Sequence, residues 1–292
     1  MALLPKPIPA AIKNFANEIA LPVALVGCHT SEMSFDCCEY DMALLTTSEK
    51  YNQSNQVVLV ADHPVELMCI KGSTKNHIVD LAHMVILNDN SEFVLSSISQ
   101  SITAEKYKKV LTAEGKKLLV SCILCQQKMK EAKCPILAAA WLKIAAYEFI
   151  DGMLALSGKK PMPLHILEQM RQNDAAIGED GLEVALDCIG TERATRPAIV
   201  RSIRAINELK SKDYDRDLVV TKANYLLDRS MLSDCYYYVG RIAAKNLVAR
   251  NERFYSQYPK LIGVALDLSA DMPYLEKMQK QLFRAANSGL IG

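Results

Sequence analysis

The sequence predicts an α+β fold: an N-terminal domain, residues 1–100, built on a mixed sheet flanked by helices, followed by an all-α domain, residues 101–292. Two observations predict it. Up to about residue 100 the apolar runs are short and separated by turn-like stretches, the pattern of strands. From Thr103 onward apolar residues recur at helical spacing over long segments. The length agrees, since 292 residues suffice for two ordinary domains, each with its own core, and half of the residues are apolar.

Taken in order, the first element is a helix over 9–19, where Ile8, Ile12, Phe15 and Ile19 fall on one face. Strands follow at 22–26, 40–45, 57–61, 64–70 and 84–88, with a short helix from Lys75 to Leu81 between the last two. Thr103-Ala104-Glu105-Lys106 is a helix start signal. Helices are expected near 104–131, 136–157, 164–172, 179–189, 197–210, 217–250 and 273–286, with breaks at Pro135, at the Gly158–Pro163 segment, at Gly190 and at Asp213.

Composition excludes several function classes. The net charge is +1, from 34 basic and 33 acidic residues, so no global field attracts nucleic acid or an anionic membrane. A long nucleic acid is disfavoured because several phosphate contacts leave a basic excess. The nine cysteines form no regular framework in a chain too large to need staples, and they read as reduced thiols. Cys122 and Cys125 lie on one face of a helix without a second matched pair, which makes them core thiols rather than a metal or redox site. With no charged-then-apolar leader and no apolar run of about 18 residues, the chain reads as cytoplasmic, without a membrane partner.

The most informative motif joins a turn to two acids. The apolar run 21–26 ends at Gly27-Cys28-His29, and twelve residues after the glycine Glu39-Tyr40-Asp41 opens a second apolar run. Acids at i and i+2 of a strand share a face. Such a pair suits a hard divalent ion, which takes a few carboxylate oxygens and fills its shell with water and substrate phosphates. A third acid, Glu66, stands inside the apolar run Pro64–Ile70.

The stretch from Gly27 to Met42 resembles the signature of the DNA polymerase beta-type nucleotidyltransferase superfamily, in which a Gly-Ser or Gly-Gly turn precedes an acid-x-acid strand. Val85–Phe93 is similar to the strand and turn of its small antibiotic-type and antitoxin-type members, and the likeness covers the first third of the chain. The resemblance implies a catalytic N-terminal domain and a helical domain, 101–292, that binds substrate or partner. It implies transfer of a nucleoside monophosphate from an NTP to a small molecule, a protein or an RNA end, with two Mg²⁺ ions. Glu39 and Asp41 would bridge the ions and Glu66 would complete the acceptor-side ion, while Gly27, Cys28 and His29 would form the phosphate-binding turn. The sequence departs from the pattern in Cys28 where Ser is usual, in Ser31 where Arg is frequent and in Glu39 where Asp is commoner. These departures leave open a catalytically degenerate relative acting as a nucleotide- or partner-binding module, antitoxin-like or scaffolding.

Outside the motif, His63, His77, His83 and His165 are dispersed without ligand spacing. Arg193, Arg196, Arg201 and Arg204 make a basic strip that nearby acids balance. Tyr236-Tyr237-Tyr238 with Arg241 reads by default as core and interface packing, with one ring on a cleft where a base could stack as the alternative, and Lys143 and Lys245 are further phosphate candidates.

Overall fold

The computed structural model describes residues 6–46, 56–71, 77–89, 92–172, 179–209, 214–250 and 252–291. The expected helix start at Lys75, the turn at Asn90-Ser91 and the break at Asp213 lie outside the described residues. The fold is α+β, a five-stranded mixed sheet followed by helices, and the chain divides into two compact units, Met1–Val110 and Leu111–Gly292.

The first unit holds α1 (Ala10–Glu18), β1 (Val23–Val26), β2 (Tyr40–Thr46), β3 (Gln56–Val60), β4 (His63–Lys71), α2 (Ile78–Leu81), β5 (Val85–Asn88) and α3 (Val94–Ser101). The sheet order is β3-β4-β2-β1-β5. All pairings are antiparallel except β2 with β4, which run parallel. Side chains alternate across each strand and give the sheet two apolar faces. Ile8, Ile12 and Ala16, at or beside α1, pack with Val23, Leu25, Met42, Leu44 and Val65 on one face. Ala24, Val26, Ala43 and Ile70 pack with Leu81, Leu95 and Ile98 on the other.

Helix α3 starts where the sequence shows no cap of its own. The Asp89 carboxylate accepts hydrogen bonds from the Leu95 and Ser96 amides and from the Ser96 hydroxyl, and so satisfies the orphan donors of its first turn from six residues upstream.

Helix α4 (Ala104–Glu131) carries the chain into the second unit, which continues as α5 (Pro135–Leu156), α6 (Ile166–Arg171), α7 (Glu179–Ile189), α8 (Arg196–Leu209), α9 (Arg216–Asp228), α10 (Leu232–Val248), α11 (Glu252–Gln257), α12 (Pro259–Ala265) and α13 (Met272–Ile291). Pro135 opens α5, where its missing N–H costs nothing. Most of α5 is buried, as its apolar all-round composition demands. Its Gly152 faces Gly115 of α4 so closely that a Cβ on Gly115 would lie 2.9 Å from the Gly152 carbonyl. The single helix expected over 217–250 is two helices. Ser230 takes φ +59°, and the amides of Ser230 and Met231 close back on the carbonyls of Leu227 and Leu226, a Schellman turn made without glycine.

Candidate metal centre

The site is assembled by strand register. β1 ends at Val26, which pairs with Asp41 of β2, and Asp41 in turn pairs with Glu66 of the parallel β4. Glu39 precedes β2 by one residue and stands on the Asp41 side of the strand. The result is that Glu39, Asp41 and Glu66 each bring a carboxylate oxygen within 4.8 Å of the others, all three half-buried. Three like charges at that separation repel by on the order of a few kcal/mol per pair in a medium between water and protein interior. A divalent cation among them converts the repulsion into attraction, so the donor set fits a hard ion held by oxygens.

Gly27 makes the close approach to Asp41 achievable. It adopts φ +74°, and a Cβ there would overlap the Asp41 carboxylate, with Cγ only 2.8 Å away. Glycine is required twice, once by the backbone and once by the space. From it the chain turns at once into a short 3-10 helix, Gly27–Thr30.

The side chains of this turn are engaged within it or with Cys38 and Tyr40. The Thr30 hydroxyl donates to the Gly27 carbonyl and the Ser31 hydroxyl to the Cys28 carbonyl, each at 2.8 Å. Cys28 is buried, and its thiol is pushed far above the ordinary range by a hydrogen bond with Cys38, by burial and by the Asp41 and Glu39 charges. It stays protonated and neutral. His29 stacks on Tyr40, centroids 4.0 Å apart and rings 9° from parallel, with Nε2 3.2 Å from the Cys38 carbonyl oxygen. Burial pushes its pKa down, which keeps the ring neutral at pH 7. A phosphate approaching the turn would therefore meet its backbone rather than a charged side chain.

The sequence motif named the three acids and the glycine, but not the company of Cys28 and His29. Tyr40 alternates with Asp41 along β2 and so falls on the other side of the strand, whereas Cys38 lies before β2, in a turn closed by its amide on the Phe35 carbonyl, and carried no such signal.

In the helical unit the remaining candidates have structural employment. Tyr236, Tyr237 and Tyr238 are all buried, in keeping with the default reading of core packing, and none is left over for the alternative of stacking on a base. Tyr237 packs edge-on against Tyr147, and Tyr236 donates to Asp267 at 2.5 Å. Arg241 forms a forked, buried ion pair with Asp151. Lys143, only 2% exposed, donates to the Tyr236 hydroxyl at 3.2 Å, and burial pushes its pKa down to about 8 against the opposing pull of Asp267. Lys245 lies 3.6 Å from Glu148. Arg193 binds Asp267 and Glu192, and Arg196 donates to the Leu227 carbonyl. Cys122 and Cys125 are buried free thiols of α4, and burial pushes Cys122 up to about 12. His165 is buried at the start of α6. Among the described residues, no helix is long and apolar enough to cross a membrane.

Compared with family models, curated proteins and solved structures, the chain matches none.

Proposed function

We propose that the N-terminal unit is a metal-dependent nucleotidyltransferase, moving a nucleoside monophosphate from an NTP to an acceptor that is a small molecule, a protein or an RNA end. The observation that carries this reading is the convergence of Glu39, Asp41 and Glu66 within 4.8 Å, behind a glycine turn built against Asp41. Glu39 and Asp41 would hold the divalent ions between them, and Glu66 would complete the acceptor-side position. When bound, those ions supply the charge neutralisation that phosphoryl chemistry needs at its attacking and leaving oxygens. The chain's own part is to fix the carboxylates by β-register, to accept the acceptor's proton at Glu66, and to bring the Gly27 backbone close to the substrate phosphates.

One observation favours a second reading, a catalytically silent module that binds a nucleotide or a partner chain. The Thr30 and Ser31 hydroxyls donate to carbonyls of the turn, Cys28 bonds Cys38, and His29 lies neutral against the Cys38 carbonyl and Tyr40, so residues 27–31 offer a triphosphate no cationic side chain.

Calorimetric titration of the four NTPs, with and without Mg²⁺, tests both. The first reading expects Mg²⁺-dependent binding that Asp41→Asn abolishes while circular dichroism is unchanged, and pyrophosphate release once an acceptor is supplied. Unchanged binding and turnover in Asp41→Asn would sink it. Binding that needs no Mg²⁺ and never yields pyrophosphate belongs to the silent module.

A further inference from the structure

Two thiols face each other where the glycine turn meets the entry to β2. Cys28 follows Gly27 in the short 3-10 helix, and Cys38 precedes Glu39. Both are reduced, and they are 9% and 3% exposed. Their sulfurs lie within 4.8 Å of one another. The Cys28 thiol donates a hydrogen bond to the Cys38 sulfur, and that sulfur also accepts from the Phe35 amide at 3.4 Å.

A single buried cysteine is usually an inert piece of core. Two features set this pair apart. Each sulfur has the other as a neighbour, so one of them, once oxidised, has a thiol within reach, the arrangement of a reactive and a resolving cysteine. Neither residue lies in a strand, since Cys28 belongs to the 3-10 turn and β2 begins only at Tyr40. The sulfurs can therefore close to bonding distance, about 2 Å, without breaking a hydrogen bond of the sheet.

We propose that Cys28 and Cys38 form an oxidation site, which hydrogen peroxide closes to a reversible disulfide. Cys38 attacks first, because the Cys28 hydrogen is committed to the bond between the sulfurs. The Cys38 sulfur takes one hydroxyl of the peroxide as the O–O bond breaks, and the other leaves as water with the Cys38 thiol hydrogen. The Cys28 sulfur then displaces the hydroxyl from Cys38, which leaves as a second water with the Cys28 hydrogen, and the S–S bond forms. Two thiols have lost two electrons and two protons, and one peroxide has become two waters. A dithiol reductant reverses the step by exchange. The bridge fastens the Gly27 turn to the residue before Glu39, a junction at which the reduced chain has the Cys28–Cys38 hydrogen bond and His29 against the Cys38 carbonyl.

The test is a disulfide map of the full chain after a small excess of hydrogen peroxide, with the remaining thiols alkylated before cleavage. Cleavage after Glu32 separates the two cysteines, so a bridge joins two peptides and removes two hydrogens from their summed mass. It is expected in most chains, and it is expected to vanish with dithiothreitol. Cys37→Ser should keep the bridge and Cys38→Ser should abolish it. Cys28→Ser should leave Cys38 as a sulfenic acid that dimedone traps. Wild-type protein in which both thiols are still alkylated after peroxide overturns the proposal, as does a bridge that joins other cysteines or survives Cys38→Ser. Dimedone that finds no sulfenic acid on Cys38 in Cys28→Ser overturns the order of attack. The wild-type map decides the site without any variant having to fold. No readout involves an ion or a nucleotide, so this site and the metal-dependent reading stand or fall separately.

Discussion

Gly27 joins backbone and site at a single atom. Replacing it by Ala places a Cβ inside the Asp41 carboxylate and forces a side chain into the left-handed region, which costs roughly 1–2 kcal/mol by itself. We expect Gly27→Ala to lose that much or more in urea denaturation and, separately, to weaken Mg²⁺ binding by moving Asp41. A loss of stability without any loss of Mg²⁺ affinity would show that the turn and the carboxylates are uncoupled. Lys143 offers a pH signature. Its folded pKa is about 8 against an ordinary 10.5, lowered by burial. Below pH 8 the ammonium is kept in both states, and its full burial penalty opposes folding. Between about pH 8 and 10.5 only the unfolded chain keeps the proton, so this group's contribution to stability rises with pH. The gain is on the order of 3 kcal/mol across the window. In paired denaturation series, wild type should gain on Lys143→Met by that order as pH rises from 8 to 10.5, and a constant difference would contradict the assignment. That Glu39 and Asp41 share a face was legible in the sequence because side-chain alternation along a strand is a local rule, whereas the approach of Glu66 and of Gly27 to Asp41 comes from the pairing of strands. The neutral state of Cys28 was not legible either, because it arises from a thiol ten residues away, brought near only by the fold.

Among the elements, legibility followed the source of each one's stability. The five strands occupy the segments that their apolar runs marked, as β1 at Val23–Val26 and β4 at His63–Lys71 illustrate, because burial of the alternating side chains is what holds them. The 28-residue α4, Ala104–Glu131, likewise begins and ends where its pattern does. Helix α3 escaped notice because Val94–Ser101 is rich in serine, a weak helix former, and its cap comes from outside the helix. If Asp89 is that cap, Asp89→Ala should cost about 1 kcal/mol in urea denaturation, with the loss confined to the first unit, whereas Asp89→Asn should retain part of it. The split between α9 and α10 was missed for a related reason. The left-handed residue of that turn is Ser230 rather than the glycine that usually announces it.

For the whole molecule, the near-zero net charge acquires a definite meaning once the site is on view. On the proposed reading a ligand would be drawn by local features, a carboxylate cluster that recruits a cation and a cation that recruits phosphates, with no long-range basic field. Ligand linkage then reports on the first unit alone. If the proposed function holds, Mg²⁺ with an NTP at about one hundred times Kd should stabilise the folded unit by about 2.7 kcal/mol, visible as an upward shift of its thermal transition. Asp41→Asn should show no shift under the same conditions, and an equal shift in both proteins would place the ligand elsewhere. The parallel pairing of β2 with β4 also sets when the site comes into being. Glu39 and Asp41 are neighbours from the moment of synthesis, and the β3–β4 hairpin closes locally through its tight turn. Glu66 joins the other two acids only when β4 pairs alongside β2, a contact that strand alternation alone does not make. If the three acids do hold an ion, the pairing of β4 with β2 is the event that completes its donor set.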